Sequence, residues 1–569
     1  MTPKPWHSSY DEMVPRELEI PDLTLPDFLA HTAKEYPDRP AIYYFGTKIT
    51  YRQLNEKATR FAHVLIREGV QPGDRVALYM PNCPPSVIAF FGALRAGALV
   101  TQLNPLHTAG EISFQLRDSG AKYVLALDRF ASLLGQVAGE CGLKKVWLTR
   151  IHDYFPLPLR WLFPIKAMKN KTWEPWPTGP LFASFTRSLD RASRGPVKRT
   201  HPIHPDDTAL LQYTGGTTGV SKGAILTHRN LVANALQCKS WFWMLEGGRE
   251  VFLVAVPIFH CYGMTVGMNT AIAFGSAMVL LPRFDALQVM ENVKKYQVGV
   301  LPGVQAFYAA INNHPDVKKY NLRSIKACIS GAGPLHEEVQ RQFEHLTGGK
   351  LVEGYGLTEA GPVTHCNPVS GIRKMGRIGL PLPGTDARVM DLKTGKRILK
   401  TGETGELVIR GPQVMKGYWN QPEETRMTLR DGWLYTGDIA VMDEDGFFTL
   451  VDRKKDMVKV GGENVYPREV EEVLFKHPKV LDCVVAGVPD RRLVDKLKAY
   501  VVLKPGEACT RKEIIEFCKE RLAKYKVPRD VDFRESLPKN QLVGKMLRRL
   551  LVEEEKKKIG KGKGRHAQG

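Results

Sequence analysis

The residues best suited to do chemistry lie in one short run, Tyr213-Thr-Gly-Gly-Thr-Thr-Gly-Val-Ser-Lys-Gly223. Apart from Val220, every residue in it is a glycine, a hydroxyl carrier or a lysine, so the run has almost no apolar surface to bury. Gly215, Gly216, Gly219 and Gly223 let the backbone bend until successive N–H groups converge. Thr214, Thr217, Thr218 and Ser221 add hydroxyl donors, and Lys222 adds a mobile positive charge. Converging donors with no carboxylate among them make a receptor for a polyanion, most simply a triphosphate. The lysine is followed by Gly223 and not by Ser or Thr, which separates the run from the P-loop, where the lysine opens a helix. The flanks, Thr208-Ala-Leu-Leu-Gln-Tyr213 and Gly223-Ala-Ile-Leu-Thr227, read as strands, so the run is expected as the turn of a hairpin. The plainer alternative is a flexible polar turn, which seldom needs so many donors together.

The elements that must position this run follow from the rest of the chain. With 569 residues the protein is expected to hold two or more domains and a large core. A hydrophobic share of 43% with 25% charged residues is that of a soluble globular protein and excludes a disordered or collagen-like chain. No run reaches the roughly 18 apolar residues of a membrane span; the best candidate, 251–281, is broken by Pro257, His260 and Gly263. The N-terminus lacks an apolar h-region, so no signal peptide is expected. Nine scattered cysteines without a CxxC pair favour a reducing, cytoplasmic setting with neither zinc nor disulfides. The net charge of +21, with Lys556-Lys-Lys558, Lys561, Lys563 and Arg565 near the end, suits anionic substrates or an anionic membrane surface, nucleic acid being the other polyanion it would fit.

Strands and helices alternate along the chain. Thr50-Tyr-Arg-Gln53 is a capping box ahead of Leu54, Ala58, Phe61 and Leu65 on one helical face, with Gly69 as the stop. Arg75–Met80 reads as a buried strand. Ser324–Ser330 reads as another, running through Gly331-Ala-Gly-Pro334 into a helix over Leu335–Leu346. Units of this kind build parallel sheets whose ligands sit beyond the strand C-termini. Two stretches break the rhythm. Ile151–Thr200 is rich in Pro, Trp, Phe and basic residues, lacks long helical periodicity, and reads as a surface insertion whose composition suits a membrane interface or a loop packed on its own protein. Asp452-Arg-Lys-Lys-Asp456 follows a hairpin turned at Asp445-Gly446 and precedes a compact set: a helix over Pro467–Phe475, strands over Asp482–Val488 and Lys498–Leu503, and a helix from Thr510 opened by Thr510-Arg-Lys-Glu513. The domains expected are therefore 1–452, 453–550, and a basic, disordered tail over 551–569.

Five motifs in order now carry a resemblance: the glycine run, Gly354-Tyr-Gly-Leu-Thr-Glu359, Tyr435-Thr-Gly-Asp438, Asp452-Arg-Lys-Lys-Asp456, and Leu537-Pro-Lys-Asn with Gly544-Lys545. Together they resemble the adenylate-forming enzymes over nearly the whole chain, and within them the bacterial long-chain fatty-acid–CoA ligases. The resemblance implies an α/β fold: a large N-terminal domain of parallel-sheet layers with a β-barrel-like subdomain, and a small mobile α+β C-terminal domain. It implies ATP, Mg²⁺ and CoA as reaction partners of a fatty acid, peripheral contact with the inner face of an anionic membrane, no nucleic acid, and a homodimer.

Residue roles are implied in the same way. Thr214, Gly215, Gly216, Thr217, Thr218, Gly219 and Lys222 would wrap the β- and γ-phosphates. Gly331, Ala332 and Gly333 would bring backbone against the adenine, with Tyr355, between Gly354 and Gly356, stacking on it. Thr358 would touch the α-phosphate and Glu359 would hold Mg²⁺, a single carboxylate plus phosphate oxygens and water being a usual magnesium set. Asp438 would accept the ribose hydroxyls beside Arg453. His260 would gate the carboxylate site, and Lys545 would pair with the acyl carboxylate and the bridging oxygen. Lys455 would be the hinge, presenting Lys459 and the Gly461-Gly462 turn for CoA. Val494-Asp495 departs from the Gly-Glu of many relatives in a loop near the expected CoA entrance. The competing readings are a medium-chain or aryl-acid CoA ligase, a luciferase-type oxygenase, and a non-catalytic acyl-nucleotide binding protein.

Overall fold

The computed structural model describes residues 4–169, 176–177, 179–197, 201–214, 221–460, 463–490, 494–539 and 546–564. Of the expected site residues, Gly215, Gly216, Thr217, Thr218, Gly219, Gly461, Gly462 and Lys545 lie outside them. The chain divides into two compact units, one of Trp6–Asp386 with Arg410–Leu434, the other of Met1–Pro5, Ala387–Ile409 and Tyr435–Gly569.

The larger unit is layered α/β. Its main sheet runs in the order Gly417–Tyr418, Lys222–Thr227, Thr208–Thr214, Leu99–Gln102, Arg75–Tyr79, Tyr123–Leu127, Lys145–Thr149, Phe182–Ser184. From Thr208–Thr214 onward every neighbouring pair is parallel. The strand Tyr123–Leu127 is buried throughout, as expected where helices cover both faces. The helix Tyr51–Arg67 is capped by Thr50 and Gln53 reciprocally and buries Leu54, Ala58, Phe61 and Leu65, as its spacing predicts. A second sheet orders Val251–Val254, Ala277–Leu280, Pro40–Tyr44 and Thr47–Thr50; a third orders Ala327–Ser330, Lys350–Gly356, Val363–Cys366 and Leu380–Pro381. The helix after Ala327–Ser330 begins at Glu337, two residues later than its sequence suggests.

The smaller unit holds, apart from a few end residues, the strands Asp386–Met390, Gly405–Arg410, Trp433–Met442 and Phe448–Arg453 of one sheet. The hairpin turned at Asp445-Gly446 is present, with Asp443 accepting from the Asp445 and Phe447 amides. A further sheet orders Glu463–Val465, Val458–Val460, Val494–Leu503 and Val480–Asp490, with Asp530–Phe533 against Val494–Leu503. The helices Pro467–Phe475 and Arg511–Lys519 cover it around a core that includes Val470, Leu474, Val485, Ile514 and Cys518.

Two sequence expectations are corrected. The stretch 151–200, which lacks long helical periodicity in the sequence, contains the short helix Phe185–Asp190 and a longer one, Leu157–Lys169, with Pro164 inside it. Prolines at 158 and 164 disguise its period in the sequence. The tail expected to be disordered from 551 is helical over Arg548–Gly564. Leu551 is buried there, and Arg534–Glu554 and Lys498–Glu555 ion pairs of 2.8 and 3.1 Å tie the helix to its own unit.

Candidate active site

In the larger unit the glycine run leaves one strand and enters the next of an antiparallel hairpin, with Thr214 opposite Lys222 and Tyr213 opposite Gly223. Ser221 Oγ donates to the Thr214 carbonyl at 2.6 Å, which closes the base of the turn. Tyr213 donates to Asp118 at 2.5 Å; burial and then that carboxylate push its phenol well above the ordinary range, so it stays a neutral strut. Lys222 is paired with the Glu424 carboxylate, and its ammonium lies 5.4 Å from the centre of the Tyr418 ring.

Tyr418 belongs to the two-residue strand Gly417–Tyr418, antiparallel to Lys222–Thr227. Its hydroxyl donates to Glu359 Oε1 at 2.8 Å. Burial, then the charge of Glu359, raise the Tyr418 phenol far above its usual value, so it remains a donor. Glu359 and Thr358 lie in the short 3-10 turn Thr358–Ala360, where the strand Lys350–Gly356 ends. Thr358 Oγ1 lies 3.3 Å from Cys261 Sγ. Burial pushes the Cys261 thiol up to about 12, so it meets Thr358 as a neutral S–H and not as a nucleophile. His260, half-buried, precedes Cys261 and accepts at Nδ1 from the Tyr262 amide at 3.3 Å. One unbroken line of contacts therefore runs Glu424, Lys222, Tyr418, Glu359, Thr358, Cys261, His260.

The residues expected around an adenine form the ends of two neighbouring parallel strands, where open α/β sheets bind ligands. Gly331, Ala332 and Gly333 follow Ala327–Ser330, and Ala332 takes φ +66, the left-handed region. A side chain at Gly331 would approach the Tyr262 ring to 3.3 Å. That ring is fixed from beneath, its hydroxyl donating to the carbonyls of Gly303 and Ile329 at 3.0 and 2.7 Å. Tyr355 is buried, opposite His365 across the strands and edge-on to it at 5.9 Å. Gly354 and Gly356 flank it, and a Cβ at Gly356 would fall 2.2 Å from the Pro362 carbonyl.

In the smaller unit Asp438 and Arg453 face each other across the hairpin, with Arg453 Nε 3.3 Å from Asp438 Oδ1. Lys454 pairs with Glu406 at 2.7 Å. Lys455 stands exposed in the turn between Phe448–Arg453 and Val458–Val460, and Lys459 is exposed on the latter strand. The turn is anchored by Arg548, which lies 2.9 Å from Asp456, 2.7 Å from Glu471 and 3.7 Å from Asp452. Burial raises the Asp452 and Glu471 carboxyls, and Arg548 is the main group opposing that rise.

The sequence reading missed Tyr418, Glu424, Cys261 and Tyr262. The first three act through partners 59, 202 and 97 positions away. Only the adjacency of Cys261 and Tyr262 to His260 offered a signal.

A polar hairpin turn and a Thr-Glu turn bound into one line at the ends of parallel strands define the adenylate-forming type of fold. The chain belongs to the AMP-binding enzyme family, whose description it matches over residues 29–419, with the AMP-binding enzyme C-terminal domain over 469–542. It is 44% identical to the long-chain-fatty-acid–CoA ligase of Bacillus subtilis (strain 168), over 97% of this chain and 98% of that one. It is 41% identical to the ligase of the same name from Yersinia pestis, with 97% and 98% covered. Among solved structures it resembles ATP-bound MatB from Rhodopseudomonas palustris, with TM-score 0.81, 30% identity, and 94% and 99% of the two chains covered. The anthranilate CoA ligase AuaEII in complex with anthranoyl-AMP also superposes with TM-score 0.81, at 25% identity, covering 95% and 98%.

Proposed function

We propose that the protein is an AMP-forming long-chain fatty-acid–CoA ligase. The acid's carboxylate oxygen bonds to the α-phosphorus of ATP, the bond from that phosphorus to the bridging oxygen breaks, and pyrophosphate leaves. The CoA thiolate then bonds to the acyl carbon, and AMP leaves with the electron pair of the broken C–O bond. The reading rests on one observation above all: three segments far apart in sequence, carrying Lys222, Thr358-Glu359 and His260, lie on a single line of contacts. Such a line spans what a triphosphate and a neighbouring carboxylate must span, with a cation at one end and an imidazole at the other.

In this reading Lys222 exchanges Glu424 for the terminal phosphates, and Thr358 donates to the α-phosphate. Glu359 fits Mg²⁺: one carboxylate oxygen takes the Tyr418 hydroxyl, and a bound Mg²⁺ would neutralise charge on the phosphates. Asp438 accepts the ribose hydroxyls and Arg453 steadies it. Lys545 supplies the second cation for the bridging oxygen, and rotation about Lys455 brings Lys459 and Gly461-Gly462 forward for the thiol step. Long acyl chains partition into bilayers, so the reading includes peripheral attachment to an anionic membrane. No described helix is long and apolar enough to cross one.

The test is acid-dependent pyrophosphate release over a panel of straight-chain and aromatic acids, with MgATP and CoA. Maximal kcat/KM with long straight chains supports the reading; a maximum with an aromatic or medium-chain acid replaces the substrate class and keeps the reaction.

A further inference from the structure

The helix Leu157–Lys169 is built unlike any other in the described residues. Leu157, Leu159, Trp161, Leu162, Ile165 and Met168 are all exposed, Trp161 by 73%. Elsewhere exposed large apolar side chains mostly stand singly, which is normal for a protein surface. Four of the six repeat at intervals of four, four and three, so Leu157, Trp161, Ile165 and Met168 share one stripe, within an arc of about 80°. The opposite side is anchored: Phe163 packs on His152 at 5.0 Å and on Phe155 at 5.5 Å. Phe155 in turn meets Phe45 at 4.7 Å, and Phe45 is itself partly exposed beside the helix. Phe163 thus holds the helix from the side away from the stripe and leaves the stripe facing solvent.

Charge identifies what covers it. Residues 154–173 include Arg160, Lys166, Lys169 and Lys171 and no Asp or Glu. Arg160 and Lys169 are exposed beside the stripe. A second copy of the chain would bring the same positive charge against itself. An anionic lipid surface accepts both features at once: the Leu, Trp and Ile side chains enter the boundary between headgroups and acyl chains, and the Arg and Lys side chains meet lipid phosphates. The helix is about 20 Å long, too short to span a bilayer and suited to lying in its surface. We infer that Leu157–Lys169 is the segment by which the protein docks flat on an anionic membrane. This rests on the peripheral attachment included in the proposed function, and names the surface that carries it.

The test is flotation of the full chain, without substrates, on phosphatidylcholine vesicles with and without phosphatidylglycerol, at low and raised salt. The wild type is expected to float with the anionic vesicles and to be released by salt. The double variant Trp161→Glu with Ile165→Glu is expected to lose binding by roughly tenfold or more, while turning over a short, water-soluble acid as the wild type does. Trp161→Phe is expected to keep binding. Wild-type-like flotation of the double variant overturns the helix assignment and leaves peripheral attachment standing. No flotation of the wild type on anionic vesicles overturns both. Light scattering that shows a dimer split by the double variant, with no flotation, assigns the stripe to a second copy and overturns the membrane.

Discussion

Lys222 and Arg548 are both cations held by carboxylates, one in each unit, and they are held in opposite ways. Among the described residues Lys222 has one carboxylate partner, Glu424. Arg548 has three, Asp452, Asp456 and Glu471; Asp452 is buried, Glu471 is largely so, and burial raises the carboxyls of both. A cation with one half-exposed partner can trade it for a phosphate at little cost. A guanidinium that neutralises several carboxylates in a dry setting cannot leave without stranding them. The first arrangement suits the phosphate-binding role proposed for Lys222 and the second suits a structural anchor, although both read as salt bridges.

The predictions test that contrast. The largest effect is expected from Glu359→Gln, which removes the carboxylate at the centre of the contact line: the adenylation rate should fall on the order of a hundredfold or more, with the thermal midpoint nearly unchanged. A large drop in midpoint with residual rate intact would make Glu359 structural instead. Arg548→Ala should do the reverse, costing about 3–5 kcal/mol of stability while the folded fraction keeps its adenylation rate. Its cost should grow with pH. Without Arg548 the folded pKa values of Asp452 and Glu471 lie further above the unfolded ones, so the folded state binds more protons and stability falls as pH rises through that window. Urea midpoints at several pH values check both points.

A third prediction concerns His365, behind Tyr355, where burial lowers the imidazole to about 3. Unfolded histidine binds its proton near 6.5, so between pH 6.5 and about 3 the unfolded state binds more protons, and stability is lost as pH falls, at up to about 1.4 kcal/mol per pH unit. His365→Gln should flatten that slope; an unchanged slope would assign the acid sensitivity elsewhere. The smallest effect is expected from Glu424→Gln. Removing the competitor for Lys222 should lower KM for MgATP a few-fold with kcat unaltered, and a raised KM would mean that Glu424 positions the lysine for its phosphate and does not compete with it.

Much of the fold was legible because its signals are local. Thr50 and Gln53 cap their helix as spaced, and the helix Pro467–Phe475 has the expected bounds. The hairpin around 215–220 was legible because two apolar strands bracket a run that cannot be buried. Tyr418 on Glu359 and Cys261 on Thr358 were not, since nothing local marks a partner that the sheet order supplies. The helix Leu157–Lys169 was hidden by its prolines, and the helix Arg548–Gly564 by a basic composition that outweighs the few residues anchoring it. Pattern reveals elements; the pairs that hold one cation by a single carboxylate and another by three come only from tertiary structure.

In the proposed reaction the acid is activated as an acyl-adenylate before CoA reacts. Purified protein mixed with MgATP and a long-chain acid, quenched in the absence of CoA and analysed by mass spectrometry, should hold acyl-AMP close to the enzyme concentration. Adding CoA should convert it to acyl-CoA and AMP, while Lys545→Ala should form none yet still convert supplied acyl-AMP. An acyl-phosphate with ADP, or no acid-dependent nucleotide cleavage at all, would rule out adenylation by this protein.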